Sequence, residues 1–278
     1  MARIRQHYGG DGAPISVDTA PADVAAAWLS HRARLRSWFA RLDDDGWRGP
    51  TRCSEWDVTA LAQHLASGAQ FLGYTLHQAR KGEPTSLLAD FDPQVTPGAA
   101  AQLFAGLPTD ELLGQIEAMD ANVQRQLDGL ADTGWDAPAE IPLGRVPAYL
   151  SVNHFLWDSW VHEHDLMLPL GQQPELDARE ATAVASYVFA LAGAARYADE
   201  EELPPLSVHV HLTDVDVHLA AEATSGRSQV RCGGEAAVNA AGTVADLVDL
   251  ATGRGSSPAL TADAVALDYL APLAVVLT

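Results

Sequence analysis

The chain has 278 residues, 47% apolar and 19% charged, the balance of a globular protein with room for one large or two modest domains. Its formal net charge of -20 repels nucleic acid and anionic membrane surfaces, which sets both aside as partners and leaves small-molecule substrates open. Two distant cysteines, Cys53 and Cys232, fit a reducing cytoplasm rather than a disulfide framework, and no apolar run approaches the roughly 20 residues of a membrane helix.

Residues 1–18 are polar and Gly-containing, lack the apolar stretch of a signal peptide, and read as a flexible lead-in. Asp18, Thr19 and Pro21 make a helix entry, and Val24, Trp28, Leu35, Trp38, Phe39 and Leu42 recur at helical spacing over Pro21 to Leu42. Asp57 is an N-cap candidate for a second helix to about Arg80, with His64 inside its apolar stripe. Lys81 to Pro108 carries four prolines and reads as a long connection. A third helix is expected over Asp110 to Leu130, a loop over Ala131 to Arg145, a fourth helix from about Val146 to Leu168, and a fifth from Asp177 to about Ala198. After Pro204 and Pro205 the period changes to two. Leu206 to Leu212 and Val215 to Ala221 read as strands, with shorter candidates at Gln229 to Arg231 and Ala236 to Ala240. Thr243 to Thr252 is an amphipathic helix closed by Gly253, and Leu260 to Thr278 reads as a turn or two of helix and a final apolar strand. These elements predict an α-helical bundle over 19–203 and a smaller α/β domain over 204–278.

The chemistry concentrates on the fourth helix. His154, Asp158 and His162 are spaced four apart, so Asp158 and His162 share a face and can aim an oxygen and an imidazole nitrogen at one point. A bundle builds metal sites from facing helices, and His64 is the best third ligand. Two His and one carboxylate leave a tetrahedral Zn²⁺ an open position, as catalytic zinc requires. The plainer alternative is an ordinary polar contact between Asp158 and His162, with His64 a hydrogen-bonded core histidine.

Three segments, in order, resemble the mycothiol-dependent maleylpyruvate isomerase-like family of the DinB-like superfamily. They are the run from Thr51 through Cys53, Trp56 and Val58 to His64 and Leu65; Asp158 through His162 to Asp165 and Leu166; and Gly242 to Gly253 and Arg254. The resemblance implies a DinB-like four-helix bundle holding a metal, usually zinc, on His64, Asp158 and His162, followed by a sterol-carrier-like α/β domain. It also implies a low-molecular-weight thiol, mycothiol, as cosubstrate with a small electrophile. For an isomerase the thiol adds to an activated alkene, rotation follows and the thiol leaves; for a transferase the adduct is the product. Asp158 stands where the family usually has the longer Glu, and Glu55 where it usually has Gly.

Other residues carry two readings each. Arg254 is a candidate for binding a substrate carboxylate, or a surface arginine after a helix end. His154 is a candidate proton shuttle, or a polar residue near the bundle end, and Asp165 could orient His162 or make a terminal contact. Cys53 reads as an inert thiol, His164 as solvated, and Trp157 and Trp160 as core. His209, His211 and His218 suggest a second metal site less well than an exposed sheet face. A metal enzyme without a thiol and a non-catalytic binding protein are the competing functions; oligomeric state is open.

Overall fold

The computed structural model describes residues 6–9, 13–196, 203–224, 227–234, 237–254 and 259–277, without the side chains of 132, 133 and 276. After strand β1 (Ile15–Val17), helix α1 (Pro21–Phe39) starts with proline in its first turn and buries Val24, Trp28, Leu35 and Phe39. A single turn, α2 (Asp44–Trp47), precedes α3 (Val58–Arg80). Asp57 caps α3 by accepting a hydrogen bond from the Ala60 N–H at 2.8 Å. The short α4 (Thr96–Ala101) lies in the proline-rich connection, and α5 (Thr109–Thr133) follows. A hairpin of β2 (Pro138–Ile141) and β3 (Gly144–Pro147) leads into α6 (Ala148–Met167), and α7 (Ala178–Ala195) is capped by Asp177. Helices α1, α3, α5 and α6 pack side by side as a four-helix bundle.

The remaining elements are β4 (Leu206–Leu212), β5 (Val217–Thr224), β6 (Arg227–Cys232), β7 (Ala240–Gly242), α8 (Val244–Thr252), β8 (Thr261–Ala262) and α9 (Ala264–Leu277). The sheet runs β1-β6-β5-β4-β7-β8, parallel at β1–β6 and β4–β7 and antiparallel elsewhere. A helical part followed by a sheet part is therefore the architecture. No described helix is long and apolar enough to cross a membrane.

Four expectations change. The lead-in is not loose throughout: Ile15 and Val17 are buried at period two as β1 alongside β6. Three residues are too short to show that period in a sequence. The expected loop over Ala131 to Arg145 contains the β2–β3 hairpin, with Ala139, Ile141 and Val146 buried. Glu140 masked it by breaking the apolar run. Its buried carboxylate accepts from Tyr8 Oη at 2.6 Å and from the Leu87 and Leu88 N–H groups at 3.0 and 2.6 Å, tying down the proline-rich connection. The expected final strand is α9 instead. Ala266, Tyr269, Leu270 and Leu273 form its buried stripe, and Pro272 lies inside the helix. Of the strand expected over Ala236 to Ala240, Ala236 lies outside the described residues and the observed strand begins at Ala240.

One hydrophobic core runs from Trp28 and Leu72 in the bundle, through Tyr187 and Phe189, to Val208, Val230 and Leu247 around the sheet. Helix α7 joins the two parts, packing on α1 and α6 on one side and on β5, β6, α8 and α9 on the other. Its Gly193 allows that approach, since a Cβ there would overlap Ser228 Oγ and Tyr269 Oη. A second core cluster, with Leu35, Phe39, Trp47, Leu61 and Leu112, fills the far end of the bundle.

Candidate metal centre

Packing of α3 against α6 brings His64 to the face that carries Asp158 and His162. Asp158 Oδ1 lies 3.3 Å from His64 Nε2 and 3.5 Å from His162 Nε2. The two imidazole rings stand edge to face, centroids 4.9 Å apart. Both nitrogens converge on one carboxylate oxygen, and the three ligand atoms lie within 4.8 Å of one another. A tetrahedral Zn²⁺ at about 2.0–2.1 Å from each donor places its ligand atoms about 3.3 Å apart. The two measured separations fit that edge, so the shorter Asp158 spans the distance to both histidines.

Burial alone would raise the Asp158 carboxyl, but His64 and His162 outweigh it and hold the group well below the usual carboxylate range. Burial likewise opposes a charge on His162, yet Asp158, Asp165 and Cys53 together raise it. The His64 Nδ1 atom is buried with no hydrogen-bond partner among the described residues, so Asp158 is the polar group to which this ring is aimed.

Asp165 fixes the His162 ring from behind. Its Oδ2 accepts from His162 Nδ1 at 2.9 Å, which turns Nε2 toward the centre. The same fully buried carboxylate accepts from Arg52 Nε at 2.8 Å and from Arg254 Nε at 3.1 Å. Arg52 also reaches Asp249 on α8, at 2.9 Å. Gly253, left-handed at φ 70, turns the chain out of α8 and delivers Arg254 to this point. Burial opposes ionisation of Asp165, but His162, Arg254 and Arg52 prevail and hold its carboxyl below the usual range. Asp165 is therefore an orienting partner of His162 and more than a helix-end contact. Cys53 Sγ lies 3.4 Å from Asp165 Oδ2 and 3.9 Å from His162 Nδ1, so the thiol read as inert sits beside the centre.

A cleft of about 720 Å³ opens over these residues, lined by His64, Asp158, His162, Arg52, Arg254 and His154. His154 shares a 2.9 Å hydrogen bond between its Nδ1 and the fully buried Tyr187 Oη. Burial pushes the His154 imidazole down to about 4; Asp158 pulls it back in part and His64 adds to the lowering. In the unfolded chain the group titrates near its ordinary value of about 6.5. Between these values the unfolded chain binds the extra proton, so stability from this group falls as pH drops from 6.5 toward 4. His154→Gln should flatten that fall in urea midpoints measured from pH 7.5 to 4.5; parallel curves for the two proteins would contradict the assignment.

The other histidines lie elsewhere. His164, expected in solvent, is partly buried, bonds the Trp160 carbonyl at 2.9 Å and lies tilted against that indole, ring centroids 3.9 Å apart. His211 and His218 stack across β4 and β5 with centroids 4.2 Å apart, and His209 lies beside Gly234. They do not gather into a metal-holding group among the described residues. Arg52 and Tyr187 join this group through Asp165 and His154 without a mark in the sequence. Neither stands at a helical spacing from His64, Asp158 or His162, although Arg52 lies within the Thr51 to Leu65 segment.

A helical bundle that gathers two histidines and a carboxylate under a cleft closed by a sheet domain is one class of protein. The model of the mycothiol maleylpyruvate isomerase N-terminal domain matches residues 22–167, and the chain belongs to that family. Two uncharacterized proteins of Mycobacterium tuberculosis, from strains CDC 1551 and H37Rv, are each 25% identical over 174 residues, covering 60% of this chain and 81% of theirs. Crystal structures of the mycothiol-dependent maleylpyruvate isomerase and of a histidine-to-alanine mutant share the fold. Each has a TM-score of 0.59 at 17% identity, over 89% of this chain and 95% of that one.

Proposed function

We propose that this protein is a metal-dependent enzyme that uses a low-molecular-weight thiol, in this family mycothiol, for thiol transfer to a small electrophile or for thiol-assisted isomerisation of it. The convergence of His64, Asp158 and His162 beneath a cleft of about 720 Å³ carries the reading, and family membership supports the choice of thiol. On the same reading the bundle is DinB-like and the C-terminal part sterol-carrier-like. A divalent cation held by these three side chains, best matched by zinc, would lower the pKa of a thiol and keep it nucleophilic at neutral pH.

The chain's own residues do the rest. Asp165 holds His162 in the tautomer whose Nε2 faces the centre. Arg254 spends only its Nε on Asp165, so its terminal nitrogens are available to a substrate carboxylate. His154 is neutral at pH 7, and Tyr187 holds its Nδ1, so Nε2 is the atom that can exchange a proton with substrate. Purified protein should contain about one zinc per chain, and mycothiol should raise its Tm only while that metal is present. Folded protein without stoichiometric metal would refute the reading. Intact metal without a thiol effect would leave Lewis-acid or water-activating chemistry in its place.

A further inference from the structure

The cleft is polar at one end and apolar at the other, with α6 as the ruler. Asp165, Arg254 and Arg52 mark one end of that helix. His154 lies eleven positions earlier, about 16 Å along the axis at 1.5 Å per residue. Beyond His154 the wall turns apolar. Ser151 Oγ bonds the Glu140 carbonyl at 3.0 Å, which seats the hairpin with Ile141 and Leu143 against the start of α6. Leu191 follows Tyr187 by one turn on α7, and Leu273 and Leu277 close the wall from α9.

Charge is scarce in this space. Among the described residues lining the cleft, Arg52 and Arg254 are the only arginines or lysines. Arg52 spends its Nε on Asp165 and its Nη1 on Asp249, so it does not keep a full terminal fork. The terminal nitrogens of Arg254 have no hydrogen-bond partner among the described residues. Asp158 and Glu55 add negative charge to the lining. With the cation of the proposed function taken by the thiol, a first carboxylate finds one guanidinium fork, and a second finds the acidic side chains of the lining. The volume of about 720 Å³ is shared by the thiol and its electrophile, and the apolar end of the wall is the part that the electrophile can cover.

We infer that the electrophilic substrate is an amphipathic monocarboxylate: one carboxylate on Arg254, and an apolar chain or ring running past His154 onto Leu191, Leu273 and the hairpin. The role of Arg254 rests on the function proposed above. A polar thiol gains nothing from that wall, which leaves it to the second substrate.

Calorimetric titration of the metal-containing protein with crotonate, trans-2-octenoate, methyl trans-2-octenoate and maleate tests this. Octenoate should bind at least tenfold more tightly than crotonate, maleate or the uncharged ester. Arg254→Met should weaken octenoate at least tenfold and leave the ester unchanged. Leu277→Asp, at the partly exposed rim of the wall, should weaken octenoate while leaving crotonate as it was. Maleate binding as tightly as octenoate, or ester and acid binding alike, would overturn the inference; both comparisons use the unaltered protein, so they hold even where a variant fails to fold. Metal content and thiol stabilisation are read separately. A protein that holds zinc and responds to mycothiol but prefers maleate keeps the proposed function and loses this substrate class. One that lacks zinc but ranks the acids as expected does the reverse.

Discussion

His64→Ala is expected to purify folded and nearly free of metal. His64 lies in the interior of α3, where alanine is the more favourable helix former. Among the described residues its Nδ1 has no hydrogen-bond partner and its Nε2 bonds Asp158 alone, so no hydrogen-bond network collapses when the ring is removed. The cation would lose one of three protein donors, and Asp158 and His162 alone, four apart on one helix, cannot close the site. Loss of a residue that merely orients a ligand costs about 10- to 100-fold in metal affinity. Loss of a donor should therefore cost at least about 100-fold. Competition with a chromophoric chelator measures this, with far-ultraviolet circular dichroism as the check on folding. Unchanged metal content would remove His64 from the ligand set.

Asp165→Ala should damage both fold and centre. This carboxylate is fully buried and serves His162, Arg52, Arg254 and the Cys53 thiol together. Deleting it leaves two arginines facing each other across the space between the 51–57 loop and the end of α8. Breaking one side of a buried ion pair costs about 3–5 kcal/mol, and about 3 kcal/mol is expected here because both arginines keep some solvent contact. Metal affinity should fall as well, by about 10- to 100-fold, because His162 would lose the partner that sets its tautomer. Asp165→Asn separates the two effects. Its amide oxygen can still accept from His162 Nδ1, so metal affinity should recover further than the urea midpoint does. An Asp165→Ala protein of unchanged midpoint and unchanged affinity would show that the cluster does not support the centre.

The sequence signals that succeeded were strong local ones. Asp57 and Asp177 cap the helices expected of them, and the helical spacing of Val24, Trp28 and Leu35 gave α1 to within a few residues of its end. The i,i+4 pair on α6 and the odd histidine in the α3 stripe met in space because α3 and α6 pack together. What was hidden depended on long-range contact. Strand β1 exists only because β6 offers it an edge. The hairpin was masked by Glu140, whose partners come from residues 8 and 85–88. The apolar tail could have been strand or helix by period, and packing on α7 and α8 decided for helix through Pro272. Arg52 and Tyr187 acquire their meaning from Asp165 and His154, which lie 113 and 33 positions away along the chain.

Helix α7 has a consequence for how such a chain could be divided or recombined. From Ala183 to Gly193 every residue is buried, so this helix has no outer face and belongs to neither half of the molecule. The family-model match ends at residue 167, before this helix begins. A cut there would strip α7 from the faces of α1 and α6 that it covers, and a cut after α7 would uncover the apolar side that now meets the sheet. The two parts are separate words in the sequence but a single noun in the fold, and a graft that exchanges the C-terminal part has to carry α7, or a helix of the same small-residue shape, along with it.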